Sequence, residues 1–220
     1  MMPVTPADEP SEFPAKVRDP GLRAIAEMVG ERPKRRSGRA FTKIADRRED
    51  IPAASFPDYW TKCLDELLQA YNHICAYSCF RIHPVTGAAS VDHFAPKSRT
   101  WNKVYEWNNY RLAATRLNSR KNNFEDLVDP FEVQPGWFHL DLVSFQVFPN
   151  SELNKTLRIQ IDATITRLGL NDFRREREQD AQVYWDRDVT LKTLRLESPF
   201  VAFELERQKR LNTDDVVLTK

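Results

Sequence analysis

Cysteine is scarce in this sequence: Cys63, Cys75 and Cys79 are the whole supply. So small and odd a number excludes a disulfide framework, and in a reducing compartment such thiols are core residues or metal ligands. Long apolar runs are missing as well. No stretch of about eighteen apolar residues exists, so no membrane-spanning helix is expected. The opening MMPVTPADEPSEF has neither a basic region nor an apolar one, so a secretory leader is not expected and the cytoplasm is the expected location. Internal repeats are absent too, which excludes solenoids and propellers.

Net charge is nearly absent, at +1, but its distribution is uneven. Residues 1–123 carry 20 basic and 14 acidic side chains, a net of +6, whereas residues 124–220 carry 13 and 18, a net of −5. The first half is the one suited to a polyanion. What the chain does have is material for a core: 41% of its 220 residues are hydrophobic and 11% aromatic, enough for one domain of ordinary size.

Along the chain, residues 1–20 hold five prolines and read as an extended or disordered lead, followed by a short helix at 21–29. Residues 31–48 carry eight basic residues against Glu31 and Asp46. That pattern suits either a phosphate-binding arm, through counterion release, or a solvated linker. Ser55, Pro57 and Asp58 read as a helix start, and Trp60, Leu64, Leu67, Leu68 and Tyr71 then line one apolar face, predicting a helix over about 56–72. Cys63 falls beside that face and reads as core. Phe80–Ile82 and Ala89–Asp92 are predicted as two short strands, and 110–121 as the helix that docks on them. Beyond Asp129-Pro130, strands are expected at Leu142–Phe148 and Leu157–Ile161, then helices at about 163–169, 171–187 and 198–210.

The chemistry gathers in VDHFAPKSRTWNKVYEWNNYRLAATRLNSRK, residues 91–121. Cleaving a phosphodiester needs water made nucleophilic, a sink for charge and help for the leaving oxygen. An imidazole can take the water's proton, and a hard cation held by a few oxygens can serve the other two needs. Asp92 and His93 are adjacent, and adjacent strand residues point to opposite faces, so they share a site only where the strand ends or bends. The Phe94-Ala95-Pro96 that follows provides such an end. Taken singly, each residue has a plainer reading: His93 as a core histidine, Asn109 closing a turn, Asn118 on an exposed helix face, Lys121 complementing a helix end.

Taken together, Val91-Asp92-His93-Phe94 with Pro96-Lys97-Ser98, then Trp107-Asn108-Asn109-Tyr110-Arg111-Leu112-Ala113, then Asn118-Ser119-Arg120-Lys121 resemble the HNH endonuclease family, the ββα-metal or His-Me finger nucleases. The resemblance spans roughly residues 71–131. It implies an α+β fold with a ββα-metal core at 51–131, preceded by a Pro-rich and basic arm at 1–50 and followed by a β-hairpin and helices at 132–220 that pack on the core or dock a partner. It implies a metal-dependent hydrolase of nucleic acid, with DNA ahead of RNA. His93 would be the general base, and Asn109 would hold its loop. Asp92 and Asn118 would be the ligands of one Mg²⁺ or Mn²⁺, and Lys97, Arg99, Arg120 and Lys121 would contact flanking phosphates.

Many relatives also carry two cysteine pairs around a structural zinc. Here Cys75 and Cys79 have three residues between them rather than two, and Ala114 and Leu117 stand in the places of the second pair. His73 and His83 could complete a set, but apolar packing in place of zinc is the expectation. The Pro-rich lead, the Cys-x-Tyr segment, the Leu168–Asn171 turn and the helical C-terminal part look most similar to HNH proteins of bacterial anti-phage defence, associated with Septu systems or retrons. That similarity implies an ATPase or reverse-transcriptase partner. The alternatives are a module of HNH shape that binds nucleic acid or a partner without cutting, and a nuclease held silent by its partner.

Overall fold

The computed structural model describes residues 1–31 and 42–216. Much of the basic stretch at 31–48 therefore lies outside the described residues. Of its described cations, Lys43 pairs with Asp46, Arg47 with Asp50 and Arg48 with Glu31. No helix among the described residues is long and apolar enough to cross a membrane. The chain mixes helices with two small antiparallel sheets.

Of the two expectations for the lead, extended or disordered, the extended one holds for residues 1–10, and the lead is packed rather than loose. Its few apolar side chains go to the core: Met1, Phe13 and Val17 are buried. Phe13 stands edge-on to Trp107 and Tyr110, with ring centroids 5.6 and 5.8 Å apart. The amide of Val4 donates to the Pro130 carbonyl, that of Ala7 to the Tyr71 hydroxyl, and the Trp107 indole to the Ala7 carbonyl. Prolines here shape the path rather than prevent packing, because their missing donors are not needed in an extended segment. A π-turn at Pro14–Arg18 then leads into α1, Asp19–Met28. A Cβ at Gly21 would run into the Tyr105 ring, so glycine lets this helix lie directly on it.

The helix expected at 56–72 is shorter and starts later. Ser55 makes no side-chain cap, and Tyr59–Cys63 is wound as a 3₁₀-helix before α2, Leu64–Ala70. Tight winding turns Trp60 onto Tyr105 and His93. Cys63 is buried, as expected of a core thiol.

The central unit is a hairpin followed by a helix, but the partner of the second expected strand is not the first: it comes from residues expected to be helical. Ala89–His93 forms β1 and Tyr110–Ala114 forms β2, paired antiparallel with Asp92 opposite Arg111 and His93 opposite Tyr110. The expected strand at Phe80–Ile82 is reduced to one bridge, Ile74 with Arg81. Only Thr115–Lys121 of the expected 110–121 helix is helical, as α3. Tyr110-Arg111-Leu112-Ala113 are all buried, and such a stretch has no period to distinguish strand from helix.

In the C-terminal part β3, Phe138–Leu140, pairs with β4, Val147–Pro149. The strand expected at Leu157–Ile161 is instead inside α4, Lys155–Leu168, whose Asn154 cap accepts from the Leu157 amide at 2.9 Å. Ile161, Thr164, Ile165 and Leu168 are its buried face, a helical spacing. Then come α5, Arg174–Trp185, α6, Leu191–Glu197, and α7, Pro199–Arg207. The stretches expected as single helices at 171–187 and 198–210 thus begin or end elsewhere. Residues Leu170–Phe173 are 3₁₀, and α6 is an additional helix. This part is tied to the hairpin unit by the Arg120 guanidinium, which donates to the Leu168 and Gly169 carbonyls, and by the Val128 amide on Thr164 Oγ1.

Candidate active site

At the end of β1 the chain leaves the sheet, and residues 94–109 form a loop that returns at β2. Asn109 closes that loop. Its Oδ1 accepts from the Ala95 amide at 2.7 Å, and its Nδ2 donates to the carbonyls of Ala95 at 3.1 Å and Lys103 at 2.9 Å. Its own carbonyl accepts from the Phe94 amide. Buried polar groups must be satisfied, and here one amide side chain satisfies three backbone groups from two ends of the loop.

His93, the last residue of β1, is only 8% exposed. Its Nε2 lies 2.9 Å from the Val104 carbonyl, which can only accept, so Nε2 carries the proton and Nδ1 is the acceptor of the neutral ring. The Tyr110 hydroxyl donates to the same carbonyl. Trp60 and Tyr110 meet the imidazole edge-on, at 4.8 and 5.1 Å between centroids. Burial first, and the Lys97 charge second, push the imidazole down to about 3, against the opposing Val104 bond, so the ring is neutral near pH 7.

Asp92 is enclosed. The Tyr77 hydroxyl donates to its Oδ2 at 2.5 Å, and Lys121 Nζ sits 3.1 Å from its Oδ1. Burial raises the carboxyl above the usual carboxylate range, while Lys121 and Tyr77 work the other way. Lys121 Nζ also donates to the His93 carbonyl at 2.8 Å, tying α3 to the end of β1. Asn118, one turn earlier on α3, donates from Nδ2 to Ser90 Oγ and the Val91 carbonyl, at 3.1 and 3.3 Å, and its Oδ1 accepts no hydrogen bond from the described residues.

The four central residues thus gather around the end of β1, while the basic residues divide. Lys121, expected at a phosphate, is 0% exposed and spends its charge on Asp92. Arg120 is engaged with the Leu168 and Gly169 carbonyls and with Asp172. Arg99 is exposed and pairs with Glu125 at 3.0 Å. Lys97 differs: half-buried, its Nζ stands 4.0 Å from the centre of the Trp60 ring, and it has no ion pair among the described residues. Burial lowers its pKa from the ordinary lysine value, with Asp58 opposing.

Cys75 and Cys79 are buried free thiols, and Cys75 Sγ accepts from the Ala114 amide at 3.3 Å. Among the described residues, no group of three or more His, Cys, Asp and Glu side chains is placed to hold a metal ion. His83 Nδ1 accepts from the Val85 and Thr86 amides in its own turn.

Tyr77, Trp60 and the Val104 carbonyl are neighbours of the site that sequence reasoning missed. Trp60 carries a helical-face signal that reads as core, and Tyr77 reaches Asp92 across 15 residues with no spacing rule to announce it. No model of a known protein family matches this chain, and a comparison with curated proteins finds no match.

Proposed function

We propose that this chain is a metal-dependent endonuclease of the HNH type, hydrolysing phosphodiester bonds of nucleic acid. The observation that carries the reading is His93. It is a neutral imidazole at a strand end, its Nε2 tied to Val104 and its loop braced by Asn109, which leaves Nδ1 to take a proton. A base needs that tautomer and a fixed aim. Water attacks phosphorus, its proton passes to His93 Nδ1, the bond to the leaving oxygen breaks, and that oxygen is protonated from solvent.

Asp92 and Asn118 would hold one divalent cation. One carboxylate and one amide oxygen form a hard-oxygen set of the kind Mg²⁺ accepts alongside several waters. Asn118 has Oδ1 to give, and each Asp92 oxygen keeps a lone pair beyond its present partner. When bound, the cation neutralises charge on the phosphate and on the leaving oxygen. Asp92 and His93 are adjacent at the last two positions of β1, so they could serve one phosphate only at that strand end, where the chain leaves the sheet. DNA is the proposed substrate ahead of RNA, and a defence effector working with an ATPase or reverse transcriptase is the proposed setting.

The test is cleavage of DNA and RNA by the purified protein with Mg²⁺ or Mn²⁺. His93→Ala should abolish cutting while leaving the melting curve in place, and full activity in that variant would sink the mechanism. One observation favours a second reading. Both Asp92 oxygens already have protein partners, as they would in a module that binds but does not cut. That module predicts silence with every metal, alone or with genomic neighbours, and nucleic-acid binding that weakens as salt rises.

A further inference from the structure

Lys97 has a position that neither the base nor the cation ligands account for. It lies four residues past His93, beyond the Pro96 that turns the chain. Its ammonium is held over the face of Trp60, whose ring meets the His93 imidazole edge-on and stacks on Tyr105 at 29° and 6.1 Å. Trp60 therefore touches both the candidate base and the Lys97 ammonium. Lys97 is half-buried and feels the charge of Asp58, but it makes no ion pair among the described residues, and its ammonium rests on an aromatic face. An aromatic face restrains an ammonium without neutralising it, which leaves the charge for an incoming anion.

We infer that Lys97 binds the scissile phosphate itself, beside His93, and that Trp60 is the positioning residue that aims both groups. The inference rests on the nuclease reading above and sharpens it. In place of a flanking-phosphate contact of the kind that strengthens binding in general, Lys97 would act on the charge that builds on the reacting phosphoryl oxygens, where one donor is worth about 10²–10³-fold in rate. Trp60 would act only through Lys97 and His93.

The experiment is steady-state cleavage by the full chain with Mg²⁺ for Lys97→Gln, Trp60→Leu, Trp60→Phe and the double variant Lys97→Gln/Trp60→Leu, each first checked for a native melting curve. Lys97→Gln should lower kcat about 10²–10³-fold with KM and the salt dependence little changed. Trp60→Leu should approach that loss and Trp60→Phe should restore most of it. The double variant should be worse than Lys97→Gln by less than the full Trp60→Leu factor, because part of that factor acts through Lys97 and the rest through His93. A Lys97→Gln variant with kcat intact, KM raised and a log–log salt slope reduced by about one would assign Lys97 to a flanking phosphate and overturn the inference. Multiplicative losses in the double variant would overturn the role of Trp60.

A readout free of catalysis separates this from the nuclease reading. The indole N–H resonance of Trp60, identified by its absence in Trp60→Phe, should move on titration with a phosphodiester dinucleotide, and Lys97→Gln should abolish the shift. If the wild type cuts nothing but this shift is present and needs Lys97, the anion site stands and the nuclease reading falls. If cleavage occurs and no shift is seen, the anion site falls alone.

Discussion

Lys121 is the residue whose surroundings depart furthest from its type. A lysine with no exposure holds a buried carboxylate on one side and a strand-end carbonyl on the other. Removing one member of a buried pair leaves the other charge uncompensated, at a cost of about 3–5 kcal/mol. Lys121→Met should therefore destabilise the chain by about that amount in denaturant unfolding, and Asp92→Asn in the same background should recover part of the loss. A cost below about 1 kcal/mol, typical of an exposed pair, would show that the ammonium does not support Asp92. The same residue marks the limit of what sequence could tell at this scale. Asp92, His93, Asn109 and Asn118 were legible because their residue types and order carry chemical meaning. Whether Lys121 and Arg120 point at solvent or inward was not, because a helix end offers both and only the neighbours decide: Asp92 for one, the Leu168 carbonyl and Asp172 for the other.

At the scale of elements, the hairpin-and-helix unit was legible in kind and misplaced in detail. A helix was expected from residue 110, yet the first five of those residues are β2, because the first four are all buried and pair register, not periodicity, settles their shape. The reverse error occurred at Leu157–Ile161, where an alternating LRIQI lies inside α4; the Asn154 cap and the buried spacing of Ile161, Ile165 and Leu168 were the overlooked signals. The end of α4 was better marked. Gly169 sits at φ 62°, the left-handed conformation that closes a helix, and an added Cβ would also strike the Arg120 guanidinium. Gly169→Ala should thus cost more than about 1 kcal/mol and lower the melting temperature by several degrees, loosening the contact between α3 and the C-terminal part. An unchanged melt would mean that the turn tolerates alanine and that Arg120 moves aside.

At the scale of the whole molecule, the N-terminal lead is the surprise. Five prolines suggested a segment without structure, but composition counts residues and packing depends on where the few apolar ones fall. Phe13 falls between Trp107 and Tyr110, and Tyr110 is the strand partner of His93. Phe13→Ala should cost about 3–5 kcal/mol, measured by urea unfolding, as a large aromatic leaves a cavity in a filled core. A near-zero cost would return the lead to the role of an accessory arm. The lead's bonds also impose an order on synthesis. Val4 is bonded to Pro130, and Ala7 to Tyr71 and Trp107, so the lead cannot settle until residues as far along as Pro130 have been made. Until then Tyr110, the strand partner of His93, lacks the Phe13 side of its packing, so the surroundings of His93 are completed late in folding.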